Sequence, residues 1–375
     1  MREYNTPVLR LTDASALCYR FFDVADSIDL EKCRALLSRA GSGVRRVGFS
    51  RAGSAYIQLS NAPLAADLGT RQLEVLGRVR EVQFGVRLFD HGCLAVVVRV
   101  PIDPGQTLEA VTPFADELYD SKAIEALAKE ELTRLRTQLE PAFEKPHLWD
   151  QIEEYTVLFV RSFESKPKAE EVLADPALPK LILGEVDVTA LSPREVREVL
   201  EHHHSYTDED LALMEWNAAF LYEPSGSEDI VDLLEIANAQ LLELRYFDAV
   251  LDGELTRVYD GIDMKKGSIL YSPYRQVLRD LMQTVIELSE FMERVENALK
   301  IVGDVYLARV YESAVLQLRV KQWSEQVSRK HKLLLQTYGL LKGEVDHDRS
   351  LTLEVMVVVL ILLEILMALL RVGGH

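Results

Sequence analysis

Apolar and polar positions alternate most clearly around residue 85, and the alternation predicts strands. Four apolar residues there are each separated by one polar or small residue: Val82, Phe84, Val86 and Leu88. This is the period of a half-buried strand. The segment DHG at 90–92 has the composition of a turn, and an apolar run follows over 93–100. The pattern therefore predicts a β-hairpin over 81–100.

Similar patterns on both sides of this hairpin predict a mixed N-terminal domain. Further strands are expected over 15–24, 44–49, 55–59 and 156–163, and helices over 29–38 and 107–140. The order β-α-β-β-α-β is that of a split βαβ unit. The predicted fold class is α+β, with a ferredoxin-like mixed sandwich over residues 1–165. Linker helices and one extra strand, where apolar residues alternate over 214–222, are expected within 166–226.

A second pattern, with apolar residues at intervals of three and four, fills the region from 230 to 302. A loop around 261–267 interrupts it, so it predicts two long helices. Two such stripes joined by a short loop pack antiparallel or across a dimer. We therefore expect a coiled-coil-like helical hairpin and bundle over 227–348, and a homo-oligomer formed through helices 228–302.

The longest apolar stretch, 351–370, comes last and contains only Thr352, Glu354 and Glu364 as polar residues. A helix of this length spans roughly 30 Å, the thickness of a bilayer core. Its Leu, Ile and Val residues outweigh the roughly 2.5 to 3.5 kcal/mol that one mid-span charge costs on an insertion scale. The stretch predicts a transmembrane helix over 349–371 in a lipid bilayer, with Glu364 as a candidate for association within the membrane. The alternative is a helix buried in a soluble oligomeric scaffold.

The flanks of this stretch predict how the protein lies in the membrane. Basic residues, which mark the cytoplasmic side, precede it at Lys330, Lys332, Lys342 and Arg349, whereas only Arg371 follows it. The first residues contain no signal-peptide pattern, and the three cysteines are isolated, as in a reducing compartment. We expect a single-pass membrane protein whose bulk faces the cytoplasm.

Charge is unevenly distributed along the chain. The net charge is −18, which argues against general nucleic-acid binding, and no DNA partner is expected. Residues 34–87, however, contain nine arginines and three acidic residues. Among them Arg45, Arg46 and Arg51 lie between glycines, serines and aromatic residues, a mixture that suits phosphate contacts and base stacking. They are candidate RNA or anion contacts, and the alternative is a sheet face whose arginines pair with acidic helices of the same chain.

Motifs of catalysis are missing. The chain has no phosphate-binding loop, no dinucleotide fingerprint, no GxSxG and no HExxH. The single ExxH, Glu144 to His147, contains Pro146, which breaks the helical spacing of a di-iron site. The histidine run at 202–204 is typical of a solvated loop. We expect no catalytic, cofactor or metal residues and no enzyme. The alternative is an enzyme with a site between the sandwich and the hairpin, around Trp216, Arg245 and Asp248.

A family resemblance rests on the C-terminal end. The helix WSEQVSRKHKLLLQTYGLL begins at Trp323, and the apolar stretch then carries its two glutamates as LEV and LEIL. This arrangement resembles the family named for a requirement in meiotic nuclear division, specifically over the last 55 residues or so. Lys330 to Leu333 depart from the helix motif expected there. The resemblance implies a membrane-anchored, non-enzymatic protein, with relatives linked to organellar translation or to the cytoskeleton.

Together these features predict a membrane-anchored, cytoplasm-facing scaffold or tether. A more specific hypothesis is that the Arg34–Arg87 region holds RNA or a ribonucleoprotein at the membrane. It is motivated by the basic segment and by the translation role that the resemblance implies. The alternatives are the enzyme and the soluble oligomeric scaffold described above.

Overall fold

The computed structural model describes residues 8–49, 61–186, 190–263, 279, 282–286, 288–289 and 305–372. The chain divides into two compact units. The first comprises 1–246 and 295–323, and the second comprises 247–294 and 324–375. The boundaries expected from the sequence at 165, 226 and 348 stay a prediction.

A large sheet organises the first unit. The strands are β1 (Leu11–Asp23), β2 (Ala25–Ile28), β3 (Val44–Arg46), β4 (Leu64–Val75), β5 (Arg78–Leu88), β6 (Cys93–Pro101), β7 (Phe143–Pro146), β8 (Glu153–Phe163), β9 (His203–His204), β10 (Leu211–Met214) and β11 (Ala218–Tyr222). Nine of them form one sheet in the order β3-β4-β5-β6-β1-β8-β11-β10-β9, and β2 pairs with β7 separately. Neighbouring strands are antiparallel except β8 and β11, which are parallel.

Strand β1 lies at the centre of this sheet, between β6 and β8. It is buried on both faces: Cys18 and Phe22 belong to the main apolar core, and Tyr19 and Phe21 on the opposite face are also buried. A strand covered on both faces shows an almost continuous apolar run instead of clean alternation. The sequence SALCYRFF has this character.

Helices of the first unit begin at caps that the sequence supplies. They are α1 (Leu30–Arg39), α2 (Leu108–Tyr119), α3 (Lys122–Leu139), α4 (Ala169–Leu173), α5 (Leu178–Leu183) and α6 (Pro193–Glu201). The side chains of Asp29, Thr107, Ser121 and Ser192 accept the backbone N–H bonds that start α1, α2, α3 and α6. Such caps satisfy donors that the first turn leaves open. Helices α2 and α3 pack on the face of the sheet that contains Cys18 and Phe22.

The opposite face of the sheet contacts two later helices, α7 (Asp229–Asp263) and α8 (Val305–Gln317). Tyr19 donates a hydrogen bond to Glu235 of α7, and Gln317 of α8 donates one to the backbone oxygen of Met214. Tyr311 of α8 also donates to Gln240 of α7. Within the first unit, α7 is buried on all sides from Ile230 to Leu244. Its polar side chains must therefore find partners inside the protein.

The second unit contains the end of α7 and most of α9 (Val320–Val372). The Nζ atom of Lys330 lies 2.7 Å from Oδ1 of Asp248 and 2.6 Å from Oδ1 of Asp252, so an ion-pair cluster joins the two helices. Val327 and Leu334 of α9 are fully buried. The second helix of the predicted hairpin falls outside the described residues, apart from helical positions at 279, 282–286 and 288–289.

Several local predictions are confirmed. The hairpin over 81–100 is β5 and β6, which pair from Gln83–Arg99 to Leu88–Leu94. Residues 156–163 lie in β8. The predicted strand over 55–59 lies outside the described residues.

The ferredoxin-like architecture is wrong. A split βαβ sandwich has far fewer strands, whereas here β8, β9, β10 and β11 extend one sheet to nine strands. The single strand predicted over 214–222 is also wrong, because Trp216 lies in a turn between β10 and β11. What the structure shows is a mixed α+β fold built around one large sheet.

The predicted transmembrane helix is not supported. Across the part of the chain that the structure describes, no helix is sufficiently long and apolar to span a bilayer. The stretch 351–370 is part of the 53-residue helix α9, and Glu354 and Glu364 lie exposed within it. A carboxylate is unfavourable in a membrane interior. The prediction of a single-pass membrane location is therefore wrong, whereas that of a bilayer partner stays a prediction.

Candidate functional site

Two of the three predicted anion-binding arginines, Arg45 and Arg46, lie on the edge strand β3 and contact acidic side chains of the same chain. A guanidinium nitrogen of Arg45 is 3.8 Å from Oε2 of Glu228, and one of Arg46 is 2.7 Å from Oε1 of Glu31. The Arg45 side chain remains 53% exposed. Arg51 lies outside the described residues. Contacts of these arginines with RNA stay a prediction.

Most other arginines between 34 and 87 are paired in the same way. The pairs are Arg34–Glu31, Arg71–Glu131, Arg78–Asp103, Arg80–Asp103 and Arg87–Glu235. Arg80 binds both oxygens of Asp103 at 2.8 Å, a bidentate geometry that is stronger than a single contact. The basic excess of this segment is thus largely compensated by carboxylates elsewhere in the fold, as the alternative interpretation of the sequence described.

The most deeply buried of these pairs connects β5 with α7. The Nε atom of Arg87 lies 2.8 Å from Oε2 of Glu235, and the Tyr19 hydroxyl donates to Oε1 of Glu235 at 2.7 Å. Burial acts to lower the pKa of Arg87, but the charge of Glu235 outweighs it and the pKa is raised. Asp232 lies one turn away. Burial, with the like charge of Glu235, raises its pKa well above the ordinary value.

A second polar cluster lies where the end of β1 meets the segment that directly follows β7. The Nε2 atom of His147 is 2.9 Å from Oδ1 of Asp23, which is almost completely buried. On the other side of the ring, Nδ1 is 3.3 Å from the carbonyl oxygen of Lys145 and 3.6 Å from Oδ1 of Asp26. The His147 ring stacks on Tyr246, with centroids 5.1 Å apart.

Both ring nitrogens of His147 therefore face acceptors, which favours the imidazolium form. Burial acts to lower the pKa of His147, but the hydrogen bond to Asp23 and the charges of Asp23 and Asp26 outweigh it and raise the pKa above 6.5. Burial raises the pKa of Asp23, and the His147 hydrogen bond opposes this. These contacts of both ring nitrogens link the chain after β7 to the end of β1.

The residues that the enzyme alternative combined have separate local roles. Arg245 forms an ion pair with Glu153 in the first unit, and Trp216 is 65% exposed in the β10–β11 turn. Asp248 belongs to the second unit, where it contacts Lys330. His203 and His204 form the edge strand β9, not a loop. In the regions that the structure covers, no group of three His, Cys, Asp or Glu residues could hold a metal ion.

Among the residues that the structure describes, the longest run of exposed apolar side chains lies near the end of α9. Twelve apolar side chains between residues 353 and 367 are 48% to 64% exposed. They are Leu353, Val355, Met356, Val357, Val358, Val359, Leu360, Ile361, Leu362, Leu363, Ile365 and Met367. Because 3.6 residues make a turn, consecutive exposed positions cover every side of the helix. We call this segment, residues 353–367, the apolar belt.

Comparisons with known proteins give a family and one relative. The model of the family described as "Uncharacterized protein MJ0711, N-terminal domain" matches residues 13–228. Uncharacterized protein MJ0711 of Methanocaldococcus jannaschii is 28% identical over 178 residues, which are 47% of this chain and 54% of the relative. The chain thus spans about half the length of the curated relative it matches. No solved structure matches this chain. The resemblance to the meiotic nuclear division family is wrong, because the family match lies elsewhere and the similarity had rested on the C-terminal residues.

Proposed function

We propose that this chain, which belongs to the family described as "Uncharacterized protein MJ0711, N-terminal domain", is a non-enzymatic scaffold that assembles with copies of itself. The assembly surface is the apolar belt of α9. The observation that carries the proposal is the exposure of twelve apolar side chains around one continuous helix.

Exposed apolar surface of this extent marks an interaction site. The belt is 15 residues long, so as a helix of about 10 Å diameter and 22 Å length it presents about 700 Å² of lateral surface. Contiguous apolar patches on monomeric proteins rarely exceed a few hundred Å², and larger ones are typical of interfaces. A helix that is apolar on all sides is stable in water only when it is covered.

The arrangement of the titratable groups supports the non-enzymatic part of the proposal. The Arg87–Glu235–Tyr19 group is satisfied internally, and His147 is held between Asp23 and the carbonyl oxygen of Lys145. Catalytic acids and bases need a reactive atom within reach of a substrate. Here the same atoms stabilise contacts between strands and helices.

The test is the mass of the full chain measured by sedimentation velocity and light scattering over a hundredfold concentration range. We expect a mass well above 42.5 kDa that falls on dilution. A variant with Val358→Gln, Leu362→Gln and Ile365→Gln should remain folded by circular dichroism and return to 42.5 kDa, because the substitutions remove apolar area from several sides of the belt. A monomeric full chain would overturn the proposal, as would a monomer that floats with phosphatidylcholine vesicles. An oligomer that the variant does not weaken would also overturn it.

A further inference from the structure

We infer that the apolar belt assembles as a bundle of more than two copies of this chain, packed along one seam, with Glu354 and Glu364 on the outside. This inference rests on the proposed function and specifies its partner and geometry. It follows from the positions of the two glutamates relative to a seven-residue repeat.

Two heptad registers keep both glutamates off positions a, d, e and g, and we take the one that also places the buried Val327 and Leu334 at d. Written as a heptad abcdefg, with apolar core positions at a and d, the seam contains Val355 at d, Val359 at a and Leu362 at d. In the sequence, Leu366 continues the same spacing at a. This register places Glu354 at c and Glu364 at f, which with b are the positions that face away from a coiled-coil core. The exposed carboxylates of the isolated chain would thus stay hydrated in the assembly.

The neighbouring positions decide the number of helices. In a two-stranded coiled coil, e and g are usually charged, because they lie at the edge of a narrow contact. In this register e is occupied by Met356 and Leu363, and g by Val358 and Ile365. These four side chains are 49% to 54% exposed and would stay in contact with water in a dimer. A bundle with more helices buries e and g together with a and d.

The buried area points in the same direction. One helix pressed against one partner covers at most half of the belt, about 350 Å² by the cylinder estimate. A stable specific interface buries about 800 Å² on each partner. Each additional helix covers more of the same cylinder, so a bundle approaches that area while a pair does not.

The seam also continues a face of α9 that is already used within the chain. Val327 and Leu334 are fully buried and are seven residues apart. Val355 and Leu362 follow Leu334 after three and four further heptads and are 57% and 59% exposed. In one uninterrupted heptad numbering all four residues occupy d, and the left-handed supercoil that a strict seven-residue repeat imposes keeps these positions on one face. A second copy of this chain presents the same stripe.

A matched pair of substitutions tests the seam. Leu362→Glu places a charge at d, and Leu360→Glu makes the same change at b. The two leucines are 59% and 64% exposed, so neither change should disturb the isolated chain. We expect Leu362→Glu to weaken assembly of the full chain by more than about tenfold, because every copy must bury a carboxylate without a partner. Leu360→Glu should change the dissociation constant by less than threefold, and the double change Glu354→Gln with Glu364→Gln should be equally mild.

The outcomes separate this inference from the proposed function. Equal weakening by both leucine variants would show assembly without this seam and would overturn the inference while leaving the scaffold proposal intact. A dimeric mass would overturn the predicted bundle in the same way. More than tenfold tightening by the double glutamine variant would place the glutamates inside and would also overturn it. A monomeric wild-type chain would end both proposals.

Discussion

Arg87 and Glu235 are 148 positions apart in sequence, yet Nε of Arg87 lies 2.8 Å from Oε2 of Glu235 in the interior of the protein. Both side chains are almost completely buried, and Tyr19 completes the group. A charge from the basic segment and a charge from the acidic helix α7 thereby neutralise each other where neither can reach water. This buried ion pair links the sheet to α7, and a change of either residue alone would leave the other charge buried without a partner.

Removing one member of this pair should destabilise the first unit strongly. Glu235→Ala leaves the Arg87 guanidinium buried without its partner, and a broken buried pair typically costs about 3 to 5 kcal/mol. Replacing both, as Arg87→Met with Glu235→Leu, should recover most of that loss, because no charge then remains buried. The free energy of unfolding in urea measures both effects.

Glu198→Ala, which breaks the exposed Arg194–Glu198 pair, is the control and should cost about 0.5 kcal/mol or less. Equal costs for both single changes would contradict the burial argument.

Local patterns predicted much of the secondary structure but not how the sheet is assembled. The β5–β6 hairpin is predictable because its alternation and its turn lie within 20 residues. The pairing of β1 with β8 and the parallel pairing of β8 with β11 join distant segments, and a period of two does not specify partners. The turn at Trp216 was missed because apolar residues alternate through it and no glycine or proline marks it.

For the candidate sites, composition revealed charges but not their partners. The arginine excess between 34 and 87 is visible in sequence, whereas Asp232 and Glu235 belong to a helix that begins at Asp229, and Glu228 directly precedes that helix. The Asp23–His147 contact joins positions 124 apart and has no motif. Pro146 already argued in the sequence against a helical ExxH site at Glu144, and residues 143–146 form strand β7.

Stability should fall as the pH rises through the pKa of His147. The folded-state pKa lies above the ordinary value of 6.5, so the contribution of the imidazolium is fully present below pH 6.5 and is lost as His147 deprotonates. The slope cannot exceed about 1.4 kcal/mol per pH unit, because one proton is involved. Urea unfolding between pH 6 and pH 9, with an NMR titration of the ring, measures both quantities. Asp23→Asn should lower the pKa of His147, and His147→Asn should remove this part of the pH dependence. A ring that titrates below 6.5 would contradict the assignment.

Substitution at the tip of the β4–β5 hairpin should be tolerated, and one substitution there should raise the free energy of unfolding. Leu76 and Gly77 have φ values of +50° and +69°, the combination of a type I′ turn, which favours Asn-Gly. A leucine in the left-handed region costs roughly 1 to 2 kcal/mol, and its side chain is 55% exposed, so little packing is lost on replacement. Leu76→Asn should therefore raise the free energy of unfolding by about 1 kcal/mol. Leu76→Val should lower it, because branching at Cβ worsens the strain. Identical effects of the two changes would argue against a type I′ turn.

Gly92, in the β5–β6 turn, should be far less replaceable than Gly105. Both have positive φ, +104° and +84°, so alanine is strained at either position. A Cβ at Gly105 meets no atom within 4 Å, whereas one at Gly92 would lie 1.8 Å from the backbone oxygen of Ala25. We expect Gly105→Ala to cost about 1 kcal/mol from strain alone. Gly92→Ala should cost about 1 to 3 kcal/mol more, because β2 must move away.

Since the added methyl group also approaches Asp23, Gly92→Ala should shift the His147 titration, and Gly105→Ala should not. Urea unfolding and the NMR titration distinguish the two variants, and equal behaviour would mean that Gly92 and Ala25 are not in close contact.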